Sequence, residues 1–526
     1  MDKFITKSNF KKGIRCEKLF WLNINKYSFD DQMQSEIFDT DNAHSKIGTD
    51  IGMIAQNLFP GGIEIPFNIS REKKIQMTQE FLKNDQSVIF EATFEFDRVL
   101  VRVDVLVKNT DGSFDVYEIK SSKINSFDER KDDYLLDCGI QHLVLKENNI
   151  KVKNFFLTCL SDHTLEKDMS IKEICNDIDL LQKFFTHTNL TEEIVLSQDD
   201  IKKRLESFQK IKEDENEPST EIGTYCKIKD QKCECYSYCW KKQRSIPDQS
   251  IFDLYKNQGF DKALDLFNKG TKEINQLCDE DIAKLTPTKR KYAELYINNE
   301  VKVDYERLKD FLSRITFPLC AFDFETINYA IPKYKGMKTY QRYPFQFSLD
   351  ILSGPHSVPA HYEFLADYEE DGRSRLIDQL IENIPANALI LTWNKSFEQG
   401  VLKELAFFSP NKKEELMRIH DSIIDLSDPF RPYSQKIKDS GIIQQPKLLG
   451  QYSIKKVLPV MDPSMHDAYK VEEGVNNGTE AMQGYLELLV EKNPEKRSKI
   501  KQKLLHYCGL DTEALFSILR KMQSFI

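Results

Sequence analysis

Residues 318–326 read PLCAFDFET. The apolar run predicts a buried strand, and Asp323 and Glu325, two residues apart, project from one face of it. Outward from this strand, ALILTWNKSFEQGVLKELA (388–406) reads as a second buried strand that passes into a helix near Asn394, with Glu398 on its first turns. LLHYCGLDTEAL (504–515) falls on a helix predicted over 497–522, where Tyr507 and Asp511, four apart, share a face. Further strands are expected at 345–352 and 361–366. Strands and helices in this order predict an α/β or α+β domain over residues 316–526. Four acids from one strand and two helices suit two divalent ions ~3.5–4 Å apart, the geometry for in-line phosphodiester hydrolysis. Asp-x-Glu or Tyr-x3-Asp alone arises readily by chance; all three segments in order do so much less. Asp425, in SIIDLSDPF, is a back-up fourth acid.

A chain of 526 residues predicts two to four domains at roughly 100–200 residues each. With 40% hydrophobic and 30% charged residues, wholesale disorder is excluded. No stretch approaches ~18 apolar residues, which excludes a membrane span. MDKFITKSNFKKGIRC lacks the apolar centre of a secretory signal, so a cytoplasmic protein is expected. The net charge of −10 argues against a nonspecific coat on nucleic acid. It is compatible with a nuclease, whose metal-binding carboxylates are themselves acidic.

Three regions are expected: 1–240, a mostly helical connector over 241–315, and 316–526. The connector rests on the helical periodicity of FDLYKNQGFDKALDLFNKG and VDYERLKDFLSRI. In the first region, SVIFEATFEFDRVLVRVDVLVKNTDGSFDVYEIKSS (87–122) is rich in strand formers, with NTDGS as a turn. Glu118 and Lys120 share a strand face, and Asp104 lies on the preceding strand. Two carboxylates and a lysine converging there make a Mg²⁺ site, the lysine stabilising developing charge. An alternating charged strand is equally often a solvated face.

Four of the eleven cysteines fall within GTYCKIKDQKCECYSYCW: Cys226, Cys233, Cys235 and Cys239. Such grouping favours metal ligation over disulfides. Four thiolates hold zinc or a [4Fe–4S] cluster, and the paired C-x2-C knuckles of a zinc ribbon are absent. Cys16, in GIRCEKLFWL, is a remote candidate partner. The other cysteines (138, 159, 175, 278, 320 and 508) sit in apolar contexts and are expected to be buried thiols.

The first constellation resembles the RecB-type PD-(D/E)XK nucleases, with Asp104 on one strand, Glu118-x-Lys120 on the next, and Gln141 in LLDCGIQHLVL at the family's helical Gln position. The stretch comparable to that family's N-terminal His motif, KIGTDIGMIAQNLFPGG, has no His. Family members with an iron–sulfur cluster, including AddB, take one Cys from before the nuclease core and three from after it. That resemblance implies Cys16, Cys226, Cys233 and Cys239 as ligands of a structural staple, with Cys235 able to replace Cys233 and zinc as the alternative metal. The second constellation resembles the DnaQ-like DEDD exonucleases of the RNase-H-like fold, in the DEDDy form. Asp323 and Glu325 match the first motif, Asn394-x-x-Phe397-Glu398 the second, with Glu for the usual Asp, and Tyr507 and Asp511 the third. His506 is an off-register rival to Tyr507. GQYSIKKVLPVM resembles a further helix of that family, with Lys455 and Lys456 near phosphates.

Together the resemblances imply a mixed α/β chain, a bacterial fusion of the two nuclease types. They imply Mg²⁺ or Mn²⁺ at Asp104 and Glu118 and at Asp323, Glu325, Glu398 and Asp511. Tyr507 would orient water, and a 3′→5′ exonuclease would act on DNA ahead of RNA. Phe324, Tyr340 and Trp393 are candidates to stack bases; all three could equally be core, and for Trp393, on an apolar strand, the core reading is preferred. The alternatives are one live exonuclease site with a nucleic-acid-gripping N-terminal domain, or a non-enzymatic scaffold of a DNA-processing or phage-defence complex, with a helicase or defence subunit as partner.

Overall fold

The computed structural model describes residues 3–526 apart from 27–28, 30–32, 35–36, 38–44, 229–230, 256–258, 367–369, 466–474 and 476. The chain forms two compact units, Met1–Ser245 with Tyr329–Gln341, and Ile246–Asn328 with Arg342–Ile526. The expected connector over 241–315 is therefore not a separate body: from Ile246 onward it belongs to the second unit. Residues 329–341, expected within the C-terminal domain, belong to the first. Both units are mixed α/β. Among the described residues, no helix is long and apolar enough to cross a membrane.

The first unit is built on a sheet of β1 (Ile5–Thr6), β2 (Ile63–Glu64), β3 (Val88–Phe96), β4 (Val99–Lys108), β5 (Phe114–Lys123), β6 (Val152–Leu160) and β7 (Phe185–Asn189), in the order β2-β3-β4-β5-β6-β7, with β1 parallel to the start of β4. On β4, Val99, Val101, Val103 and Val105 are buried and alternate with half-exposed positions, so every second side chain faces the core. The helix Phe127–Glu147 packs Tyr134, Cys138 and Val144 into the same core as Val101 and Val103. A short hairpin, β8 (Lys227–Ile228) with β9 (Gln231–Lys232), precedes the last cysteines.

The second unit holds a small ladder, β10 (Lys302–Val303) with β16 (Ile443–Gln444), and a five-stranded sheet. The sheet comprises β11 (Leu319–Asn328), β12 (Arg342–Leu352), β13 (Ala360–Leu365), β14 (Leu389–Thr392) and β15 (Ile423–Asp425), ordered β13-β12-β11-β14-β15. β11, β12 and β13 are antiparallel, whereas β14 and β15 run parallel to β11. β11 is central and covered on both faces, so Leu319 to Phe322 are all fully buried and the strand reads as one apolar run. The helix Pro494–Gln523 crosses this sheet. Asn493 caps it by accepting from the Glu495 and Lys496 amides, and Pro494 sits at its first position, where no N–H is needed.

Candidate metal centre

β11 and β14 are parallel, with Ala321 level with Leu391; β14 ends at Thr392 while β11 runs on to Asn328. Asp323 and Glu325 lie in the second half of β11. After β14 the chain turns at Asn394, whose φ of +68° is a left-handed conformation that Asn tolerates. The helix Ser396–Phe408 follows, with Glu398 in its first turn. Asp425, at the end of β15, holds that turn in place. Its carboxylate accepts from the amides of Asn394 (3.0 Å), Lys395 (3.1 Å) and Ser427 (3.0 Å) and pairs with Arg431 at 3.0 Å. The back-up fourth acid is thus engaged as an anchor for the turn that carries Glu398.

Three polar contacts from β12 set the rotation of the helix Pro494–Gln523. Gln346 Nε2 donates to Leu504 O (2.8 Å), Ser348 Oγ meets Thr512 Oγ1 (3.0 Å), and Thr512 Oγ1 donates to Asp350 Oδ2 (2.6 Å). Alternate β12 residues face the helix, so this register brings Asp511 to Asp323 and Glu325. Carboxylate oxygens of the three lie within 4.8 Å of one another. Among the described residues this is the one group with three ligand atoms so close. Glu398 feels the charge of Asp511, and Asp323 feels that of Glu398, so the fourth acid borders the same group.

Burial pushes the Asp323 carboxyl well above its usual range, and the charges of Asp511, Glu325 and Glu398 push it further. Burial and then Asp511 raise Glu325 to about 8, with Lys455 opposing. Burial also raises Glu398 to about 8. Its Oε2 is buried and has no hydrogen-bond partner among the described residues. Buried, mutually repelling carboxylates with an orphaned oxygen are an all-oxygen donor set that hard divalent cations fit. The Tyr507 ring stands 5.6 Å from Lys455 Nζ. Burial, then the charge of Asp511, keeps its hydroxyl protonated.

The remaining expectations for this unit divide. Phe324 is 2% exposed and stacks edge-on with Phe322, so it is core rather than a base platform. Trp393 packs near Phe430 and donates to Tyr452 O, also a core role. Tyr340 belongs to the first unit, where its hydroxyl donates to Ser121 O. Lys456 is exposed on the helix Ile454–Met461. His506 lines a different hollow of about 530 Å³ with Asp350, His361, Glu363, Glu513 and Arg520. Cys508, expected as a buried thiol, is buried, and its Sγ lies 3.5 Å from Asp323 Oδ2.

In the first unit, the β4–β5 ladder runs from Lys108↔Phe114 to Val105↔Tyr117, and Asp104 and Glu118 stand just beyond its last pair. Asp104 Oδ2 accepts the Ile119 amide at 2.7 Å. Glu118 is 1% exposed, and both its oxygens are engaged. Oε1 takes Lys120 Nζ and Lys7 Nζ, each at 2.7 Å, and Oε2 takes Gln141 Nε2 at 2.8 Å. Lys120 also reaches Asp137, which Lys11 approaches at 3.5 Å. The four expected residues therefore converge, with Lys7, Lys11 and Asp137 added. Asp137 and Gln141 are four apart on one helix face, a signal present in LLDCGIQHLVL; Lys7, far upstream, left none. Burial opposes the Glu118 carboxylate, but Lys120 and Lys7 together hold it well below the usual range. Burial and the charge of Glu118 raise Asp104 to about 7.

Cys16, Cys226, Cys233, Cys235 and Cys239 line one small cavity of about 20 Å³ with Leu19, Leu22 and Trp240. Cys16 is the N-cap of the helix Glu17–Asn25. Burial raises the thiols of Cys16 and Cys226, and Cys239 to about 12, whereas a hydrogen bond from Cys235 pulls Cys233 down to about 7. Soft sulfur donors in an apolar pocket fit zinc or an iron–sulfur cluster. Cys235 shares the cavity, so it remains a fifth thiol beside Cys233. Two of the six cysteines expected to be buried are not: Cys175 is half-buried and Cys278 exposed, its thiol 3.1 Å from Asp281. Both lie in short segments, where an apolar neighbour in sequence does not ensure cover.

A domain family described as a domain of unknown function, DUF2779, matches residues 320–453, a span with Asp323, Glu325, Glu398 and Asp425 but neither Tyr507 nor Asp511. The chain is similar to the uncharacterized protein UU173 of Ureaplasma parvum, 28% identical over 238 residues, covering 44% of this chain and 33% of that protein. It is also similar to the uncharacterized protein MG366 of Mycoplasma genitalium, 28% identical over 308 residues, 55% of this chain and 42% of that protein. The matches thus span less than half the length of these curated relatives. No solved structure matches the chain.

Proposed function

We propose that this chain is a Mg²⁺- or Mn²⁺-dependent nuclease whose second unit removes nucleotides from 3′ ends. The observation that carries the reading is the meeting of Asp323, Glu325 and Asp511 oxygens within 4.8 Å, beside Glu398, in buried surroundings. Bound there, divalent ions would supply activation of water and neutralisation of phosphate charge. Asp323, Glu325, Glu398 and Asp511 would hold them. Tyr507, kept protonated, donates a hydrogen bond that orients the attacking water. Lys455, beside Tyr507 and Glu325, holds a phosphate oxygen. A mixed sheet with the acid pair on its central strand supports the RNase-H-like, DEDDy-type reading.

The first unit is read as a PD-(D/E)XK-type domain, because Asp104, Glu118, Lys120 and Gln141 converge from adjacent strands and the following helix. Its cysteine cavity is read as the seat of a [4Fe–4S] cluster joining the N-terminal helices to residues 226–239. A lone tetrahedral zinc, with Zn–S of ~2.3 Å, needs sulfurs closer together than these: among the described residues no three thiols meet within 4.8 Å. The engagement of both Glu118 oxygens favours a second reading in which only the C-terminal site cuts and the first unit grips nucleic acid.

The test is digestion of 3′- and 5′-labelled single- and double-stranded DNA and RNA with the full chain and Mn²⁺. Stepwise release of mononucleotides, lost in Asp323→Asn and Asp511→Asn, is the expected result. Absence of cleavage on every substrate, or undiminished trimming by Asp511→Asn, overturns it.

A further inference from the structure

The two carboxylate groups differ in how their charge is answered. In the second unit, Glu398 is buried and Asp323, Glu325 and Asp511 are half-buried, with the charge of Lys455 opposing Glu325 and that of Arg342 opposing Glu398. In the first, the acids are met inside the fold. Lys7 and Lys120 share Glu118 Oε1, Gln141 takes Oε2, Lys120 and Lys11 meet Asp137, and Arg102 pairs with Glu91 on the neighbouring strand. Lys7 is the first residue of the helix Lys7–Arg15, which Thr6 caps by accepting the Asn9 amide. The helix start thus aims a fixed ammonium at the carboxylate oxygen that an ion shared with Asp104 would need.

We propose that Lys7 is a built-in occupant of the first unit's cation seat: its ammonium and a divalent ion compete for Glu118 Oε1, so this unit takes up metal only when the side chain is displaced. The inference deepens the PD-(D/E)XK reading and rests on its assignment of Asp104 and Glu118 as the ion's ligands. Lys7 is a positioning residue, acting through Glu118. An ammonium at 2.7 Å and a divalent ion at a typical ~2.0–2.6 Å from one oxygen repel strongly, and this holds for Lys120 as for Lys7. Lys120 keeps Asp137 as a partner when it gives up Oε1, so Lys7, whose ion pair is with Glu118, is the ammonium that has to leave. A lysine side chain is long and flexible enough to leave. Lys7 is also about a quarter exposed, so its exit needs no opening of the core.

The experiment measures Mn²⁺ binding by calorimetry and electron paramagnetic resonance on the full chain carrying Asp323→Asn and Asp511→Asn, which silence the second unit. In that background Lys7→Gln is expected to bind Mn²⁺ at least about tenfold more tightly, roughly 1.4 kcal/mol, and the gain is expected to vanish when Glu118→Gln is added. Lys7→Arg keeps the charge and is expected to bind as Lys7 does. Lys11→Gln, which leaves Glu118 untouched, is expected to change nothing. Equal affinity for the Lys7 and Lys7→Gln proteins, or a gain that survives Glu118→Gln, overturns the proposal. Cleavage does not enter the readout. If no nucleic acid is cut yet Lys7→Gln gains the ion, the nuclease reading fails and the Lys7 assignment stands. If cutting is seen and no ion is gained, the reverse holds.

Discussion

Thr512 donates its hydroxyl hydrogen to Asp350 Oδ2 at 2.6 Å, one residue along the helix from Asp511. The same hydroxyl meets Ser348 at 3.0 Å, so a fully buried threonine locks the angle at which Asp511 faces β11. Thr512→Val keeps the shape and removes the bond. Leaving a buried carboxylate oxygen without its donor costs about 1–3 kcal/mol, so urea unfolding of the second unit should shift to lower midpoint. The proposed nuclease activity should fall as well, though Thr512 is not among the proposed ligands.

The acids of the candidate metal centre oppose folding when no cation is present, because burial and mutual charge both raise their carboxyls. Asp323→Asn is therefore expected to raise the melting temperature in chelator, by roughly 2–4 °C for each kcal/mol relieved. Mn²⁺ should raise that of the wild type by mass action and that of the variant far less. Calorimetry with and without chelator checks both signs.

Lys455 lies beside Tyr507 and opposes the raised Glu325. Lys455→Ala is expected to lower kcat/KM on single-stranded DNA about 10- to 100-fold, the 1.5–3 kcal/mol of one charged hydrogen bond. Lys456→Ala, exposed on the same helix, should change it little.

Anaerobically purified protein is expected to carry iron and absorb in the visible. Cys16→Ser and Cys239→Ser should lose the metal and destabilise the first unit, since ligation is coupled to folding. Cys235→Ser should retain most of it, and an iron assay with a visible spectrum separates these outcomes.

Burial disfavours the charged form of His361, but hydrogen bonds to Asp350 at 2.9 Å and Glu363 at 3.3 Å outweigh it and raise its pKa above the ordinary 6.5. A raised histidine stabilises the fold fully below 6.5, and loses that contribution as pH climbs through the elevated value. His506, Glu513 and Arg520 line the same hollow. His361→Gln should flatten the pH dependence of the unfolding midpoint between pH 6 and 8.

Much of the second unit was legible because its determinants are local. PLCAFDFET is apolar on both strand faces until the acids begin, and that forecast the central strand and placed Asp323 and Glu325. The strand-to-helix passage at Asn394 and the spacing of Tyr507 and Asp511 were equally readable. The rest depends on contacts distant in sequence. The role of Asp425 is set by amides some thirty residues earlier, and Lys7 reaches Glu118 across 111 positions. The polar staples from Gln346, Ser348 and Asp350 read as an ordinary alternating strand until the helix that uses them is in place. The helical periodicity of residues 252–270 and 303–315 matches helices at Ile251–Leu254, Phe260–Asn268 and Tyr305–Ser313, residues 256–258 lying outside the described residues, but periodicity says nothing of which body a helix joins.

The excursion of Tyr329–Gln341 also orders events on the ribosome. The β11–β12 hairpin sends its connecting segment to finish the first unit, where Leu165 donates to Met337 O, Met169 to Lys333 O and Thr339 to His163 O. Synthesis of residues 1–245 alone leaves those amides and carbonyls unanswered. The nascent N-terminal body thus lacks this cover until nearly a hundred further residues are made, and a fragment cut at Ser245 would be without it.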